Sequence, residues 1–171
     1  MEDTSVSRKK ERCYRGRCAV MGQRVFVYRN LNQDCWSVRA AVGADYGRVL
    51  CHSDSVALYD AEFVVNESGR QRVLREQKKN VHAGVVGLLA PDHDWVHSGK
   101  FLCTTVRYNP YRCGCFTTES SLPVLRASHV HLGTDGVVRA AESLRERGTN
   151  DKSQRLLALA RQHRGWRNNP R

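Results

Sequence analysis

Arg24-Val25-Phe26-Val27-Tyr28, followed by Asn30-Leu31-Asn32-Gln33-Asp34 and then Cys35-Trp36-Ser37-Val38-Arg39-Ala40, is the stretch whose reading decides the fold. The first run is short, β-branched and aromatic, which suits a strand. The polar middle is turn chemistry. The third run alternates in polarity and reads as a second strand. The same grammar extends outward. Ala44-Asp45-Tyr46-Gly47 punctuates, and residues 48–52 form a third strand. Residues 56–65 form a longer one, closed by Asn66-Glu67-Ser68-Gly69. Residues 81–89 resume β character, with Gly84 and Gly87 marking bulges or close backbone approach. Strands at 101–108, stopped by Asn109-Pro110, and at 115–118 and 124–132 complete the set. Residues 70–79 fit either a continuing strand or a helical turn or two around Leu74. About eight short strands at roughly ten-residue spacing predict a mainly antiparallel β body, as a meander, small barrel or sandwich.

The period changes near the C-terminus. Val137, Ala141 and Leu144 recur at i, i+4 and i+7, after the turn Asp135-Gly136 and before Gly148. A second helix is signalled by Asp151 as N-cap with Gln154 at N3, a face of Leu156, Leu159, Ala160 and His163, and Gly165 as its stop. The expected class is therefore α+β, with a C-terminal helical hairpin appended to the β body. The expected divisions are a basic N-terminal arm over 1–22, the β body over 23–133, and C-terminal helices with a basic tail over 134–171.

Charge is distributed unevenly along the 171 residues. The chain carries 28 Lys+Arg against 17 Asp+Glu, a formal net charge of +11. Residues 1–29 hold eight basic and three acidic side chains, and residues 137–171 hold nine and three. Residues 30–136 hold eleven of each. A balanced middle with two Arg-rich extremities attracts polyanions, nucleic acid above all. Guanidinium forks match phosphate oxygens and stack on bases. Arg15, Arg17, Lys78, Lys79, Arg161, Arg164 and Arg167 are the expected contacts. Tyr14 and Trp166 lie among these clusters, where rings could stack on unpaired bases. Arg107-Tyr108-Asn109-Pro110-Tyr111-Arg112 places further rings beside cations. No apolar run reaches the ~18 residues of a membrane helix. The first residues lack the apolar segment of a signal peptide. The expected location is the cytoplasm, with no membrane partner.

Catalytic patterns are sparse. Neither a phosphate-cradling Gly-rich loop nor a G-x-S-x-G elbow occurs. Asp60 with Glu76-Gln77-Lys78 has the spaced acid and E-x-K form of metal-dependent nucleases, although a solvated basic face with Glu76 paired locally accounts for the same residues. The seven cysteines are odd in number. With no export signal they argue against a disulfide framework. Cys113-Gly114-Cys115, Cys13 to Cys18, His129-Val130-His131 and His93 with His97 lack the C-x₂-C spacing of zinc ribbons. Neither catalytic nor metal residues, nor any cofactor, are therefore assigned.

Two stretches resemble short uncharacterised proteins of phages, prophages and other bacterial mobile elements. The first runs from Val27-Tyr28-Arg29-Asn30-Leu31 through Cys35-Trp36-Ser37-Val38 and Gly69-Arg70-Gln71-Arg72-Val73-Leu74-Arg75 to Lys79-Asn80-Val81-His82-Ala83. The second is Tyr108-Asn109-Pro110-Tyr111. The resemblance implies a phage or mobile-element origin and carries no catalytic residue. Together with the charge, the expectation is a non-enzymatic nucleic-acid-binding accessory protein, contacting DNA or RNA. The alternatives are an anti-CRISPR-like inhibitor that binds a host defence nucleoprotein, a structural component, and a metal-dependent nuclease.

Overall fold

The computed structural model describes residues 12–91 and 101–143. Their strands are β1 (Arg12–Cys13), β2 (Arg24–Arg29), β3 (Trp36–Ala40), β4 (Val49–Ser53), β5 (Val56–Val65), β6 (Ala83–Ala90), β7 (Phe101–Arg107), β8 (Phe116–Thr118), β9 (Pro123–Val124), β10 (Arg126–Leu132) and β11 (Val138–Ser143). One helix, α1 (Glu67–Glu76), interrupts the β5–β6 connection. The strands form one open sheet in the order β1-β4-β3-β2-β6-β5-β10-β11-β7-β8-β9, and every ladder is antiparallel.

The β body is as the alternation implies, but it is neither a closed barrel nor a pair of sheets. Its inner face carries Val25, Val27, Val38, Leu50, Leu58, Val85, Val130 and Leu132, all at most 2% exposed. Each such side chain contributes on the order of 1.5–3 kcal/mol by leaving water. The sheet curls, so that distant strands share this core. The Phe63 ring on β5 packs on Phe116 of β8 at 5.1 Å between centroids. Trp36 of β3 donates its indole Nε1–H to the Gly133 carbonyl, in the β10–β11 turn, at 2.9 Å.

The expected C-terminal helical hairpin does not form. Its first member is β11, which pairs with β10 from Leu132↔Val138 to His129↔Ala141 and with β7 from Val138↔Val106 to Ser143↔Phe101. Asp135-Gly136 is the turn of a β-hairpin and does not introduce a helix. Gly136 has φ +75°, a conformation glycine adopts without steric cost. Asp135 accepts from the Arg139 guanidinium at 2.7 Å and the Val137 amide at 3.0 Å. These bonds, the Arg139 bond foremost, bring its carboxyl down to about 2. Pairing on both sides of β11 outweighs a three-position apolar spacing that a helix would also have used. The second expected helix, from Asp151 to Gly165, lies outside the described residues.

The helix that does form begins in Asn66-Glu67-Ser68-Gly69, expected to close a strand, and runs through the segment that fits either a continuing strand or a helical turn or two around Leu74. Asn66 is its N-cap, accepting from the Gly69 amide at 3.1 Å. Glu67 occupies the first turn and Arg75 the last, matching the helix dipole. Gln77 closes it in the left-handed region at φ +51°, its amide bonded to the Val73 carbonyl. No helix among the described residues is long and apolar enough to cross a membrane.

Candidate nucleic-acid interface

The inward residues of β2 and β3 fix what their outward neighbours must be. Val25 and Val27 point into the core, so Phe26 and Tyr28 stand on the outer face. Register places Arg39 opposite Phe26 and Ser37 opposite Tyr28, and His52 of β4 opposite Ser37. The Arg39 guanidinium lies over the Phe26 ring at 4.7 Å and over the Tyr28 ring at 5.8 Å. The two rings are 5.6 Å apart and tilted by 31°. Tyr14, just beyond β1, meets the His52 ring edge-on at 5.1 Å, and Arg15 lies over Tyr14 at 5.4 Å. Three aromatic rings, a histidine and two arginines therefore share the outer face of β2, β3 and β4.

Beneath these rings is a polar network. Ser37, 0% exposed, accepts from Asn30 Nδ2 at 3.0 Å. Its hydroxyl also lies 3.0 Å from His52 Nδ1. Asn30 in turn accepts from the Asn32 and Gln33 amides through Oδ1, so one side chain shapes the β2–β3 turn and braces the face. Phe26 is held from behind. Its ring occupies the space above Gly84, where an added Cβ would come within 2.6 Å of Phe26 Cζ.

The expected contact residues fare differently. Arg15 joins this face through Tyr14. Arg17 is committed to Asp45 at 3.4 Å. Lys78 and Lys79 are exposed on the segment leading from α1 to β6, and share no element with the arginines. Arg161, Arg164 and Arg167 lie outside the described residues. The sequence reading missed Phe26, Tyr28, Arg39 and His52 as a group. Period-two alternation, carried across the β2–β3 pair, was the signal that could have found them.

The concave side of the curled sheet holds a cleft of about 410 Å³ walled by Val27, Trp36, Val85, Tyr108, Phe116 and Val138. At its rim Tyr108 Oη lies 2.9 Å from His82 Nε2, while His82 Nδ1 lies 2.7 Å from the Asn80 carbonyl. A carbonyl only accepts, so His82 Nδ1 carries a proton and donates to Asn80. Burial raises Tyr108 to about 12. The two sequence segments singled out around Lys79 and Tyr108 thus meet at the His82–Tyr108 contact.

The nuclease pattern does not assemble. Glu76 is bonded to Arg72 at 3.1 Å, the main cause of its lowered pKa, and lies 3.5 Å from Arg75. Asp60 sits at a bulge of β5, 3.8 Å from Arg24. Among the described residues no group of three or more His, Cys, Asp or Glu could hold a metal ion. Cys13 and Cys18, by contrast, are joined by a disulfide.

No solved structure matches the chain. The Gene 82 protein of Mycobacterium phage L5 is 40% identical over 125 residues, spanning 69% of this chain and 95% of that protein. A family model described as Mycobacterium phage L5 gene 82 protein matches residues 19–140, which includes β2 to β10 and the Phe26–Tyr28–Arg39 group. The phage origin implied by the resemblance is thereby established, and the chain belongs to the Mycobacterium phage L5 gene 82 protein family.

Proposed function

We propose that this phage protein is a non-enzymatic nucleic-acid-binding accessory factor that receives a single strand on the outer face of β2, β3 and β4. The observation that carries the reading is Arg39. It rests on two aromatic rings, and no carboxylate among the described residues forms an ion pair with it, whereas Arg24, Arg29, Arg48, Arg70, Arg72, Arg107 and Arg139 all have one. An unpaired guanidinium beside ring faces offers both terms that single-strand binding uses, phosphate attraction and stacking. Duplexes present no free base faces and gain only the electrostatic term. The charged extremities would add phosphate contacts without sequence preference.

The test is equilibrium binding of labelled single-stranded DNA and RNA oligomers and of duplex, over a salt series. Single-strand affinity should fall linearly in log K against log salt, with slope about −0.7 per phosphate neutralised. Arg39→Gln with Tyr28→Ala should weaken single-strand binding by roughly tenfold, from lost stacking and charge, and change duplex binding less. A flat salt plot, or identical affinities for the variant and the native chain, refutes the reading. Retention of a host protein complex after nuclease treatment, with no oligomer bound, would favour an inhibitor of host machinery instead.

A further inference from the structure

Cys13 stands between two other cysteines. On one side, Tyr14 and Arg17 exchange amide-to-carbonyl bonds at 3.0 and 3.1 Å around Arg15 and Gly16, whose φ values are +50° and +73°. Two left-handed central residues make a two-residue hairpin of the kind that matches strand twist. The next pair outward is Cys13 and Cys18, 4.8 Å apart at Cα and joined by a disulfide. On the other side β1 pairs with β4, and the residue directly opposite Cys13 is Cys51. The Tyr14 amide also reaches the Leu50 carbonyl at 3.1 Å. That bond makes Cys13↔Cys51 a pair lying between ladder hydrogen bonds. In such pairs Cα atoms approach to about 4.5 Å and side chains share a face. This lies within the span a disulfide bridges, about 4.4–6.8 Å. Cys51 is a thiol, 5% exposed, and Cys18 is exposed.

We infer that Cys13 is a thiol–disulfide exchange centre, able to take either Cys18 or Cys51 as its partner. The step balances without an oxidant or reductant. The Cys51 thiolate forms a bond to Cys13 Sγ and the Cys13–Cys18 bond breaks. Cys18 leaves as a thiolate and takes up the proton that Cys51 released, so the chain keeps one disulfide throughout. Nucleophile and leaving group belong to different strands flanking Cys13, which lets them occupy opposite sides of the attacked sulfur. Uncatalysed disulfide rearrangement is slow, on the order of minutes to hours, and Cys51 is buried. It has a structural outcome. The first pairing closes the hairpin that holds Tyr14 against His52 and Arg15 over Tyr14. The second staples the edge strand β1 to the core strand β4 and delivers an exposed thiol at Cys18. Control of nucleic-acid affinity by this exchange rests on the interface proposed above, but the exchange itself does not.

The experiment is disulfide mapping of the full chain by mass spectrometry, after incubation without added thiol at mildly alkaline pH, acid quench and alkylation of remaining thiols. The native chain should yield the Cys13–Cys18 peptide together with a slowly growing Cys13–Cys51 peptide and alkylated Cys18. Air-oxidised Cys18→Ser should carry Cys13–Cys51, with both thiols lost to alkylation. Cys51→Ser should show Cys13–Cys18 alone. Absence of the Cys13–Cys51 peptide from both the native chain and folded Cys18→Ser overturns the inference. If Cys18→Ser does not fold, its absence from the native chain suffices. Oligomer affinity measured on the same samples separates the two proposals. Exchange without any oligomer binding sinks the interface and leaves this centre standing.

Discussion

Replacing Gly84 by alanine tests the packing that presents the outer face. A Cβ at this position would lie 2.5 Å from the Val27 carbonyl oxygen, 2.6 Å from Phe26 Cζ and 2.7 Å from Phe26 Cε2. Carbon contacts are comfortable only near about 3.5–4.0 Å, so the neighbours must yield by roughly an ångström. Phe26 can swing its ring, although doing so lifts it from Arg39. The Val27 carbonyl is backbone, and Val27 is itself paired with Val85, so it moves only by distorting the β2–β6 ladder. Overpacking of this kind costs about 1–3 kcal/mol. With a urea dependence of roughly 1–3 kcal/mol per molar, the unfolding midpoint should fall by about 1 M. The assay is urea unfolding followed by far-ultraviolet circular dichroism. A double-mutant cycle with Phe26→Ala divides the cost. Without the ring, part of the clash disappears, so Gly84→Ala should be milder by on the order of 0.5–1 kcal/mol while the backbone part persists. An unchanged midpoint, or the same cost with and without the Phe26 ring, would refute the close approach and with it the claim that Phe26 is a fixed platform.

Two further outcomes follow from the core. Tyr108 is raised to about 12 by burial, against about 10 when unfolded. The folded state thus holds this proton more tightly, a stabilisation fully present below about pH 10 and lost as pH rises through about 12. For a half-buried ring this amounts to about 1 kcal/mol after screening. The stability difference between the native chain and Tyr108→Phe should be constant up to about pH 10 and shrink above it, and a constant difference throughout would count against the reading. Trp36→Phe removes the indole donor to the buried Gly133 carbonyl. It should cost about 1–3 kcal/mol by thermal or urea unfolding, and no loss would mean that this bond does not tie the curled sheet together.

The strands of the body were legible because each announces itself locally, by alternation between turns. β2, β3, β4, β5, β6, β7, β8 and β10 all fall where apolar or β-branched runs predict them. The errors lie where a local signal supports two structures. Asn66-Glu67-Ser68-Gly69 is turn chemistry and N-cap chemistry alike. What decided for α1 was the sum of a first-turn acid, ion pairs at Glu67–Arg70 and Arg72–Glu76, and one buried anchor, Val73. Val137, Ala141 and Leu144 are spaced for a helix, yet Asp135-Gly136 between apolar runs is also a hairpin turn. β11 takes that option because it fills the gap between β10 and β7, a fact no local window contains. The order of the sheet, the cleft and the meeting of His82 with Tyr108 are long-range in the same way. The cysteines show a third limit. Compartment arguments spoke against a disulfide framework, but Cys13 and Cys18 flank a two-residue turn that brings them to bonding distance.

Charge was the most informative property of the sequence, and folding redistributes its meaning. The described residues hold sixteen basic and ten acidic side chains by count. Asp45 serves both Arg17 and Arg48, and Glu76 serves both Arg72 and Arg75. Such pairs are exposed, and each is worth little in stability. Their effect is on the field, because a paired guanidinium projects little potential beyond its own carboxylate. The cations without an ion pair among the described residues include Arg15, Arg39, Lys78 and Lys79. Arg15 and Arg39 lie over aromatic rings, whose faces attract the cation while leaving its outer side uncompensated. A ring under a guanidinium therefore fixes its position as a carboxylate would, without cancelling its charge. That difference is why the proposed nucleic-acid binding should concentrate on the face of Phe26, Tyr28 and Arg39, a feature that the neutral sum over residues 30–136 conceals.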